Sequence, residues 1–448
     1  MQTKGFNLVI NKKIAPFNKV VEIDSDKSMS IRSFLIGAIS HNVSIAKNVL
    51  ESEDVLSAIK CLKKLGVKIQ RKKKGIYLIY GKGLGSLAAK KNLKLNFGNS
   101  GTLARLLIGI LSTTPEIEVL MSGDQSLNKR SMKRLIEIMS EFGATFLPKN
   151  KFNFPLKLIS TDVPIGIKYN SGVSAQLKSA VILAGLNSFG NTKIIESQKS
   201  RNHTENILLQ NKKTIKIKKG KKNLIEISGK KYLNSFNLDI PGDPSSAAFF
   251  TALTILNKGS ILKIKNVGLN ITRTGFFNLL KKQGAKINFD KIKIKNNEPR
   301  GDIFIKSGKL KPIKATKEYY VNSTDEYPIL FVIAALTKGI SVFNGIGELT
   351  NKESNRIKEM QKILFQIGVK SFFSNGKLKI LGKGIINASN KKINVPNLGD
   401  HRICMSTFIL AILTGAKTKI RNFETVNTSS PSFLKIMKNL GAIFEKKN

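Results

Sequence analysis

The 448-residue sequence has no tryptophan, two cysteines and three histidines. Cys61 and Cys404 lie in apolar, helix-like contexts, so we expect free thiols buried in the core, as is usual in a reducing compartment. His41, His203 and His401 do not stand at ligand spacing from one another, so we expect no metal site. The chain lacks a secretory signal at its N-terminus and an apolar run of about 18 residues that would predict a membrane span. These absences favour a cytoplasmic protein.

Acidic residues are also scarce. The sequence has 76 Lys and Arg but only 29 Asp and Glu, which gives a formal net charge of +47. This balance is typical of nucleic-acid binding, of attraction to small anionic substrates, or of a coding bias toward Lys, Asn and Ile. In the densest run, 212–222, lysine alternates with isoleucine, as in a strand with a solvated face. No aromatic residues interleave there for base stacking. We interpret most of the charge as coding bias and predict no nucleic-acid partner.

One pattern occurs six times: an apolar helix rich in small residues, a turn that often holds glycine, and a strand. The copies cover 30–49, 102–121, 175–197, 246–267, 328–344 and 402–423. After every copy but the third comes an amphipathic helix that ends in glycine, which is typical of a left-handed helix C-cap. The apolar helix should be buried, and the two-faced helix should cover it. The sequence therefore predicts an α/β (α+β) protein with two similar globular domains of three repeats each.

The segment 240–245 holds two prolines and a glycine between the third and fourth repeats, and it is the expected hinge. We predict one domain at 20–241, with repeats 1–3. The other domain is discontinuous and comprises 1–19, which includes an N-terminal strand, together with repeats 4–6 at 242–448. The chain would cross between the domains a second time near 18–22.

Small polar and basic residues are concentrated where the apolar helices begin. These openings lie at 26–32, 99–105, 174–176, 243–246, 325–328 and 400–402. A helix N-terminus offers backbone N–H groups and a positive dipole end, which suit phosphates and carboxylates. Taken singly, each opening is also a common N-cap. Six such openings, several with Lys or Arg, favour a site for a substrate with more than one anionic group.

Two loops add further cations, Arg130 in one and Lys352 and Arg356 in the other. Lys352 and Arg356 stand four residues apart, hence on one face if they are helical, and Glu353 lies between them in sequence. A solvated helix start would explain the same residues. Arginine, however, can bind carboxylate or phosphate through two parallel hydrogen bonds, which lysine cannot.

Six segments resemble, in order and spacing, those of the 5-enolpyruvylshikimate-3-phosphate synthases. They lie at 26–32, 99–105, 174–176, 325–328, 352–356 and 400–402. The resemblance spans essentially the whole chain, and 123–130 and 174–179 are similar to bacterial members. It implies the fold of the enolpyruvyl transferases, an inside-out α/β barrel with three βαβαββ-type units per domain and buried helices.

The resemblance also implies a reaction. The enolpyruvyl group of phosphoenolpyruvate is transferred to the 5-hydroxyl of shikimate 3-phosphate, and phosphate is released by addition and elimination through a tetrahedral intermediate. This step belongs to the shikimate pathway, which leads to chorismate and the aromatic amino acids. The family needs no metal or organic cofactor. We expect a monomer that glyphosate inhibits.

Site residues are implied by the same resemblance. The shikimate 3-phosphate set is Lys27, Ser28, Arg32, Ser174, Ala175, Gln176, Arg201, Asp325 and Lys352. The phosphoenolpyruvate set is Lys27, Asn99, Gly101, Arg130, Gln176, Arg356 and Arg402. Asp325 is the expected base for the hydroxyl, and Lys27 and Glu353 are expected to move protons at the enol carbon. Gly101 lets a ligand approach the backbone closely and is the residue type of glyphosate-sensitive relatives.

The sequence departs from the family pattern at four positions. Ser131 stands where proline is usual, Asn355 where aspartate is usual, and Thr350 where a basic residue is common. Leu103 is bulkier than the small residue that usually follows Thr102. We expect these departures to affect substrate affinity rather than the reaction.

Two other functions stay open. A UDP-N-acetylglucosamine enolpyruvyl transferase would share the architecture, but that family typically has a Lys-Asn pair near the N-terminus and a reactive cysteine or aspartate in the second unit. Here Ser28 follows Lys27, and no cysteine lies between Cys61 and Cys404. A basic nucleic-acid-binding protein is the candidate from another class, and a salt-dependent gel shift would favour it.

Overall fold

The computed structural model describes residues 5–447. They divide into two compact units: unit 1 comprises 5–24, 241–294 and 299–447, and unit 2 comprises 25–240 and 295–298. The predicted division has the same discontinuous form, but 20–24 and 241 lie in unit 1 rather than in unit 2, and we did not expect 295–298 in unit 2. Residues 1–4 and 448 of the predicted domains lie outside the described residues. That the two units are separate domains stays a prediction.

The apolar helix of each repeat begins at its predicted opening, and the described residues form fourteen α-helices in all. They are α1 (Lys27–Ile39), α2 (Glu53–Lys64), α3 (Gly101–Ser112), α4 (Gln125–Asn128), α5 (Lys133–Glu141), α6 (Ala175–Leu186), α7 (His203–Leu208), α8 (Pro244–Leu256), α9 (Gly275–Lys282), α10 (Glu318–Ser323), α11 (Tyr327–Ala335), α12 (Arg356–Gln366), α13 (His401–Thr414) and α14 (Phe433–Asn439), with 3₁₀ turns at Gly347–Asn351 and Phe423–Thr428. Along residues 5–447, no helix combines the length and apolar character needed to cross a membrane.

The strands are short. They are β1 (Asn7–Ile10), β2 (Asn18–Val21), β3 (Val43–Lys47), β4 (Lys68–Lys73), β5 (Ile76–Tyr80), β6 (Leu93–Asn96), β7 (Glu118–Ser122), β8 (Thr145–Leu147), β9 (Leu156–Ile159), β10 (Lys168–Ser171), β11 (Asn191–Glu196), β12 (Ile215–Lys218), β13 (Asn223–Ser228), β14 (Asn237–Asp239), β15 (Ile261–Gly268), β16 (Lys286–Lys295), β17 (Glu298–Lys306), β18 (Lys314–Ala315), β19 (Gly339–Phe343), β20 (Ser371–Ser374), β21 (Lys377–Gly382), β22 (Lys392–Val395), β23 (Lys417–Ile420) and β24 (Glu445–Lys447).

The described strands form four-stranded sheets, one for each repeat. The orders are β14-β3-β5-β4, β6-β7-β9-β8 and β10-β11-β13-β12 in unit 2, and β16-β17-β15-β2, β18-β19-β21-β20 and β22-β23-β1-β24 in unit 1. Each sheet has one parallel pair, such as β6 with β7, followed by antiparallel neighbours, such as β7 with β9. Apart from the short helix α4, the order β6-α3-β7-α5-β8-β9 along the chain is the βαβαββ unit that we predicted.

Three sheets are completed by strands from distant parts of the chain, and one of these strands is β1, which pairs antiparallel with β23 in unit 1. In unit 2, β14 comes from the end of the long segment and pairs in parallel with β3 of the first repeat. In unit 1, β2 comes from the N-terminal segment and pairs in parallel with β15 of the fourth repeat. The chain passes from unit 1 to unit 2 near 24 and back near 240. These positions follow from strand pairing, because β2 belongs to a sheet of unit 1 and β14 to a sheet of unit 2.

Each unit encloses its own hydrophobic core, built around its apolar helices. In unit 2 the helices α3 and α6 touch backbone to backbone. A Cβ placed on Gly109 of α3 would lie 2.6 Å from the carbonyl oxygen of Ala180 in α6. Because interiors are close-packed, only glycine fits there. Cys61 and Cys404 are free and buried in these cores, and burial raises the pKa of Cys61 to about 12.

Candidate active site

Helix α1 begins with a cation at its positive end. The Asp26 carboxylate accepts a hydrogen bond of 2.8 Å from the Met29 N–H and so caps the helix. Lys27, the first helical residue, is 15% exposed and its Nζ lies 2.9 Å from a carboxylate oxygen of Asp54. Ser28 follows on the same turn. The Asp54 contact, which the sequence did not suggest, holds the Lys27 ammonium at the beginning of α1.

Arg32 lies one turn further along α1 and is buried, at 3% exposure. Its Nη1 donates to the Ser28 carbonyl at 3.0 Å. Its Nε donates to Thr204 Oγ1 at 2.8 Å, and its Nη2 donates to Ser179 Oγ at 3.2 Å. These contacts hold the plane of the guanidinium in one orientation, as recognition of a planar or multivalent anion requires.

A second cation, from the loop between α4 and α5, lies beside the beginning of α3. Arg130 Nη2 donates to Asn99 Oδ1 at 2.7 Å, and Asn99 Nδ2 donates to Asp124 Oδ2 at 2.7 Å. Ser100 caps α3 by accepting from the Leu103 N–H at 3.2 Å. The amide of Asn99 therefore links Arg130 to the beginning of α3.

Arg105 lies on α3 one turn after Gly101 and is absent from the predicted set. Its Nη1 donates to the Gly101 carbonyl at 3.2 Å and to Gln176 Oε1 at 2.7 Å. Gln176 Nε2 in turn donates to Thr102 Oγ1 at 2.9 Å. These bonds join the beginnings of α3 and α6. The four-residue spacing from Gly101 was the available signal for Arg105.

Helix α6 begins at Ala175 and is capped by Ser174, whose hydroxyl accepts from the Leu177 N–H at 3.4 Å. Arg201, a predicted ligand, is partly buried in the loop that follows β11. The preceding residue, Ser200, is tied to the end of β11 by its N–H, which donates to Glu196 at 2.9 Å.

Unit 2 therefore brings together three helix starts and their cations. Arg32 links α1 to Ser179 of α6, and Arg105 links α3 to Gln176 of α6. Backbone N–H groups and guanidinium groups together favour a ligand with more than one anionic group.

In unit 1 a buried arginine contacts three carboxylates. Arg356 is 1% exposed, and its Nε lies 2.9 Å from Asp400, its Nη2 2.7 Å from Glu353 and its Nη1 3.8 Å from Asp325. Burial lowers the pKa of Arg356, but the three carboxylates raise it by more. The guanidinium is thus permanently charged, and it fixes both predicted proton-transfer carboxylates, Asp325 and Glu353.

Two residues near Arg356 in sequence, Asn355 and Lys352, have contacts of their own in unit 1. Asn355 caps α12 by accepting from the Lys358 N–H at 3.0 Å, so its side chain serves the capping role that aspartate would also fill. The ammonium of Lys352 lies 5.9 Å from the centre of the Tyr320 ring, and burial raises the pKa of Tyr320, which keeps the phenol neutral.

Arg402 lies in the first turn of α13 and is buried, at 5% exposure. Its N–H donates to the helix cap Asp400 at 2.9 Å, and its guanidinium lies 6.0 Å from the centre of the Phe249 ring. Its Nε is buried, and within residues 5–447 it has no hydrogen-bond partner. A buried charged donor without an acceptor is costly, so Arg402 is suited to an anionic ligand.

The structure places the predicted residues in two sets. Unit 2 holds Lys27, Ser28, Arg32, Asn99, Gly101, Arg130, Ser174, Ala175, Gln176 and Arg201, and unit 1 holds Asp325, Lys352, Glu353, Arg356 and Arg402. Arg32 lies one turn into α1, and each of the others lies at a helix start or in the loop beside one. Their roles toward substrates stay predictions.

The repeated βαβαββ units with buried helices form the fold of the enolpyruvyl transferases. The enolpyruvyl transferase NikO from Streptomyces tendae has this fold at 13% identity, with a TM-score of 0.76 over 99% of both chains. Within that class, residues 11–437 match the family model for EPSP synthase (3-phosphoshikimate 1-carboxyvinyltransferase). The chain belongs to the EPSP synthase family.

Similar proteins agree with this assignment. A 3-phosphoshikimate 1-carboxyvinyltransferase from Paramagnetospirillum magneticum is 35% identical over 96% of this chain and 97% of that protein. One from Bacillus velezensis is 37% identical over 94% of this chain and 97% of that protein. An EPSP synthase structure from Acinetobacter baumannii has a TM-score of 0.84 at 33% identity and covers 99% of this chain and 100% of that chain.

These matches confirm the predicted family, the α/β fold class and the enzyme class, a transferase of aromatic amino acid biosynthesis. They favour this family over the UDP-N-acetylglucosamine enolpyruvyl transferases. Cytoplasmic location and the monomeric state stay predictions.

Proposed function

We propose that this chain transfers the enolpyruvyl group of phosphoenolpyruvate to the 5-hydroxyl of shikimate 3-phosphate and releases phosphate. The observation that carries the proposal is the set of cations at the beginnings of α1, α3 and α6, in a chain of the EPSP synthase family. Both substrates are polyanions, and these helix starts offer fixed N–H groups and guanidinium groups to them.

Shikimate 3-phosphate is assigned to the residues near α1 and α6, together with two residues of unit 1. The buried Arg32, whose plane is held by Thr204 and Ser179, is the strongest candidate for its phosphate. The full set is Lys27, Ser28, Arg32, Ser174, Ala175, Gln176, Arg201, Asp325 and Lys352.

Phosphoenolpyruvate is assigned to the residues near α3 and to the arginines of unit 1. Arg402, with its buried Nε lacking a partner within residues 5–447, supports a role in binding a carboxylate or phosphate. The full set is Lys27, Asn99, Gly101, Arg130, Gln176, Arg356 and Arg402.

In the proposed reaction, a proton is added to the methylene carbon of phosphoenolpyruvate while the 5-hydroxyl oxygen attacks the adjacent carbon. Asp325 accepts the hydroxyl proton, and a tetrahedral intermediate forms. Phosphate then leaves as a proton is removed from the methyl group, with Lys27 and Glu353 assigned to the proton transfers at this carbon. The surrounding cations stabilise the charge that develops on phosphate and carboxylate oxygens.

Phosphate release tests the function directly. We expect release only when phosphoenolpyruvate and shikimate 3-phosphate are both present, and loss of most activity in Lys27→Met and Asp325→Ala. Lys133→Met, which removes a lysine that is 58% exposed in the same unit as Lys27, should behave as wild type. Release that ignores shikimate 3-phosphate and instead requires UDP-N-acetylglucosamine would assign the other transferase activity.

Gly101→Ala should weaken phosphoenolpyruvate and glyphosate binding while the fold persists. A Cβ at this position would lie 2.8 Å from Arg105 Nη1 and 3.2 Å from Arg130 Nη1. Both atoms end flexible side chains, so the arginines move rather than the backbone. A hydrogen bond to a charged group is worth about 1.5–3 kcal/mol, so displacing one predicts at least a roughly tenfold rise in the glyphosate inhibition constant.

Steady-state kinetics measures this change. The KM for phosphoenolpyruvate should rise with the glyphosate constant, and the KM for shikimate 3-phosphate should stay near the wild-type value. Gly308→Ala is the control, because a Cβ there would meet no atom closer than 4.0 Å. Equal glyphosate sensitivity in Gly101→Ala and wild type would contradict the assignment of Gly101 to this substrate.

A further inference from the structure

A buried ion cluster connects the first turn of α6 with β11 and α7. Lys178 Nζ lies 2.6 Å from Glu196 Oε1 and 2.6 Å from Glu205 Oε1, and the three side chains are 0%, 4% and 2% exposed. Burial lowers the pKa of Lys178, but Glu205 and Glu196 raise it by more, so the ammonium stays charged. Nothing in the proposed chemistry uses this lysine directly.

Each carboxylate of the cluster holds a different part of the connection between β11 and α7. Glu196, at the end of β11, accepts from the Ser200 N–H at 2.9 Å and from the Ser200 hydroxyl at 3.1 Å. Ser200 immediately precedes Arg201. Glu205 lies in the first turn of α7 and draws that turn toward α6. Lys178 therefore sets the position of both ends of the short loop that carries Arg201.

The same cluster is continuous with the hydrogen bonds of Arg32. Thr204, next to Glu205, donates its hydroxyl to Ser179 Oγ at 2.8 Å, and Ser179 is next to Lys178. Arg32 donates to both hydroxyls, at 2.8 Å to Thr204 and at 3.2 Å to Ser179. Thr204 and Ser179 are both fully buried, at 0% exposure. The orientation of the Arg32 guanidinium thus depends on how α7 is held against α6.

We propose that Lys178 is a positioning residue for the substrate phosphate: by holding Glu196 and Glu205, it fixes Arg201 and, through Thr204 and Ser179, Arg32. This inference rests on the proposed function, in which both arginines bind the phosphate of shikimate 3-phosphate. If the cluster only stabilised unit 2, its disruption would change the KM of both substrates alike. If it positions the arginines, its disruption changes the KM of shikimate 3-phosphate selectively.

Two conservative variants test the proposal without leaving a carboxylate unneutralised. Thr204→Val removes the hydroxyl that accepts from Arg32, and Glu205→Gln leaves Lys178 paired with Glu196. We expect each to raise the KM and the dissociation constant of shikimate 3-phosphate about tenfold, the size of one hydrogen bond to a charged group. The KM for phosphoenolpyruvate and kcat should change less than about twofold.

Thr204→Ser restores the hydroxyl and should return the KM toward the wild-type value. Thr192→Val is the matched control: Thr192 is 0% exposed in the same unit, and its hydroxyl has no hydrogen-bond partner in the described chain. Equal changes in the KM of both substrates, or a lower melting temperature with unchanged KM values, would overturn the proposal.

Calorimetric titration of shikimate 3-phosphate without phosphoenolpyruvate separates the two levels of inference. If wild type neither binds shikimate 3-phosphate nor releases phosphate, the proposed function fails. If wild type does both and Thr204→Val binds shikimate 3-phosphate as tightly as wild type, the positioning role of the cluster fails and the proposed function stands.

Discussion

Asp325→Asn should lower kcat by roughly 10²- to 10⁴-fold, the factor that a positioned general base contributes. Asparagine keeps the shape of aspartate but cannot accept the proton of the 5-hydroxyl. The side chain is 26% exposed, so a substrate hydroxyl can reach it, and Arg356 Nη1 lies 3.8 Å from its carboxylate. Arg356 keeps its closer contacts to Glu353 and Asp400 in the variant, so the fold and both KM values should change little.

Steady-state phosphate release at saturating substrates measures this loss. Glu318→Gln is a suitable control, because it neutralises an exposed carboxylate in α10, close to Asp325 in sequence. A kcat within tenfold of wild type in Asp325→Asn would assign the hydroxyl proton to another group. A large rise in both KM values would instead indicate that Asp325 mainly positions substrate.

Much of the fold was predictable because its signals are local. A capping residue, an apolar run and a terminal glycine lie within one helix, so α1, α3 and α13 begin within a residue or two of where the sequence placed them. The same local signals predicted that small polar and basic residues would lie at these helix starts. Gly101 begins α3, whereas Arg130 lies 31 residues beyond Asn99 in sequence and is held beside the same helix start by its hydrogen bond to Asn99.

The interactions that span long sequence separations were not predictable. Nothing local indicates that β14 pairs with β3, or that 295–298 joins unit 2. The latter follows from contacts of the β16–β17 turn: Glu298 accepts from Asn206 at 3.0 Å and lies 2.7 Å from His203. Lys27 likewise contacts Asp54, whose position in α2 gave no sign of it.

Because the sequence has so many lysines and arginines, those with a specific structural or binding role could not be recognised from charge alone. Most lysines and arginines are exposed, and exposure is the normal state of such residues. Arg32, Arg356, Arg402 and Lys178 are buried instead, and each therefore needs a specific partner or ligand. Lys178 stands in an apolar helix, where the sequence alone cannot distinguish a buried ion pair from a lysine that reaches solvent.

Lys178→Met should lower the free energy of unfolding by about 3–5 kcal/mol at neutral pH, the usual cost of removing one partner from a buried ion cluster. The variant leaves Glu196 and Glu205 in the core without their shared ammonium. The triple variant Lys178→Met, Glu196→Gln and Glu205→Gln removes all three charges and should recover much of the loss, because neutral groups cost less to bury. Urea unfolding of the three proteins measures both effects.

The loss in Lys178→Met should also depend on pH. In wild type, burial raises the pKa of Glu196, but Lys178 and the hydrogen bonds lower it by more, so it lies below the ordinary value. The stabilisation from this carboxylate is therefore complete above about pH 4.3, the unfolded pKa, and is lost only as the pH falls through the lower folded value.

Without Lys178, burial should raise the folded pKa of Glu196 above the unfolded value, so the variant loses stability as the pH rises through that range. The gap in unfolding free energy between wild type and Lys178→Met should thus be largest near pH 8 and shrink toward pH 5, where Glu196 of the variant takes up a proton. A gap that is constant with pH, or smaller than about 1 kcal/mol, would mean that water or another cation reaches the two carboxylates. The triple variant has no carboxyl left to titrate in the cluster, so its gap from wild type should change with pH only through the wild-type Glu196, below about pH 4.3.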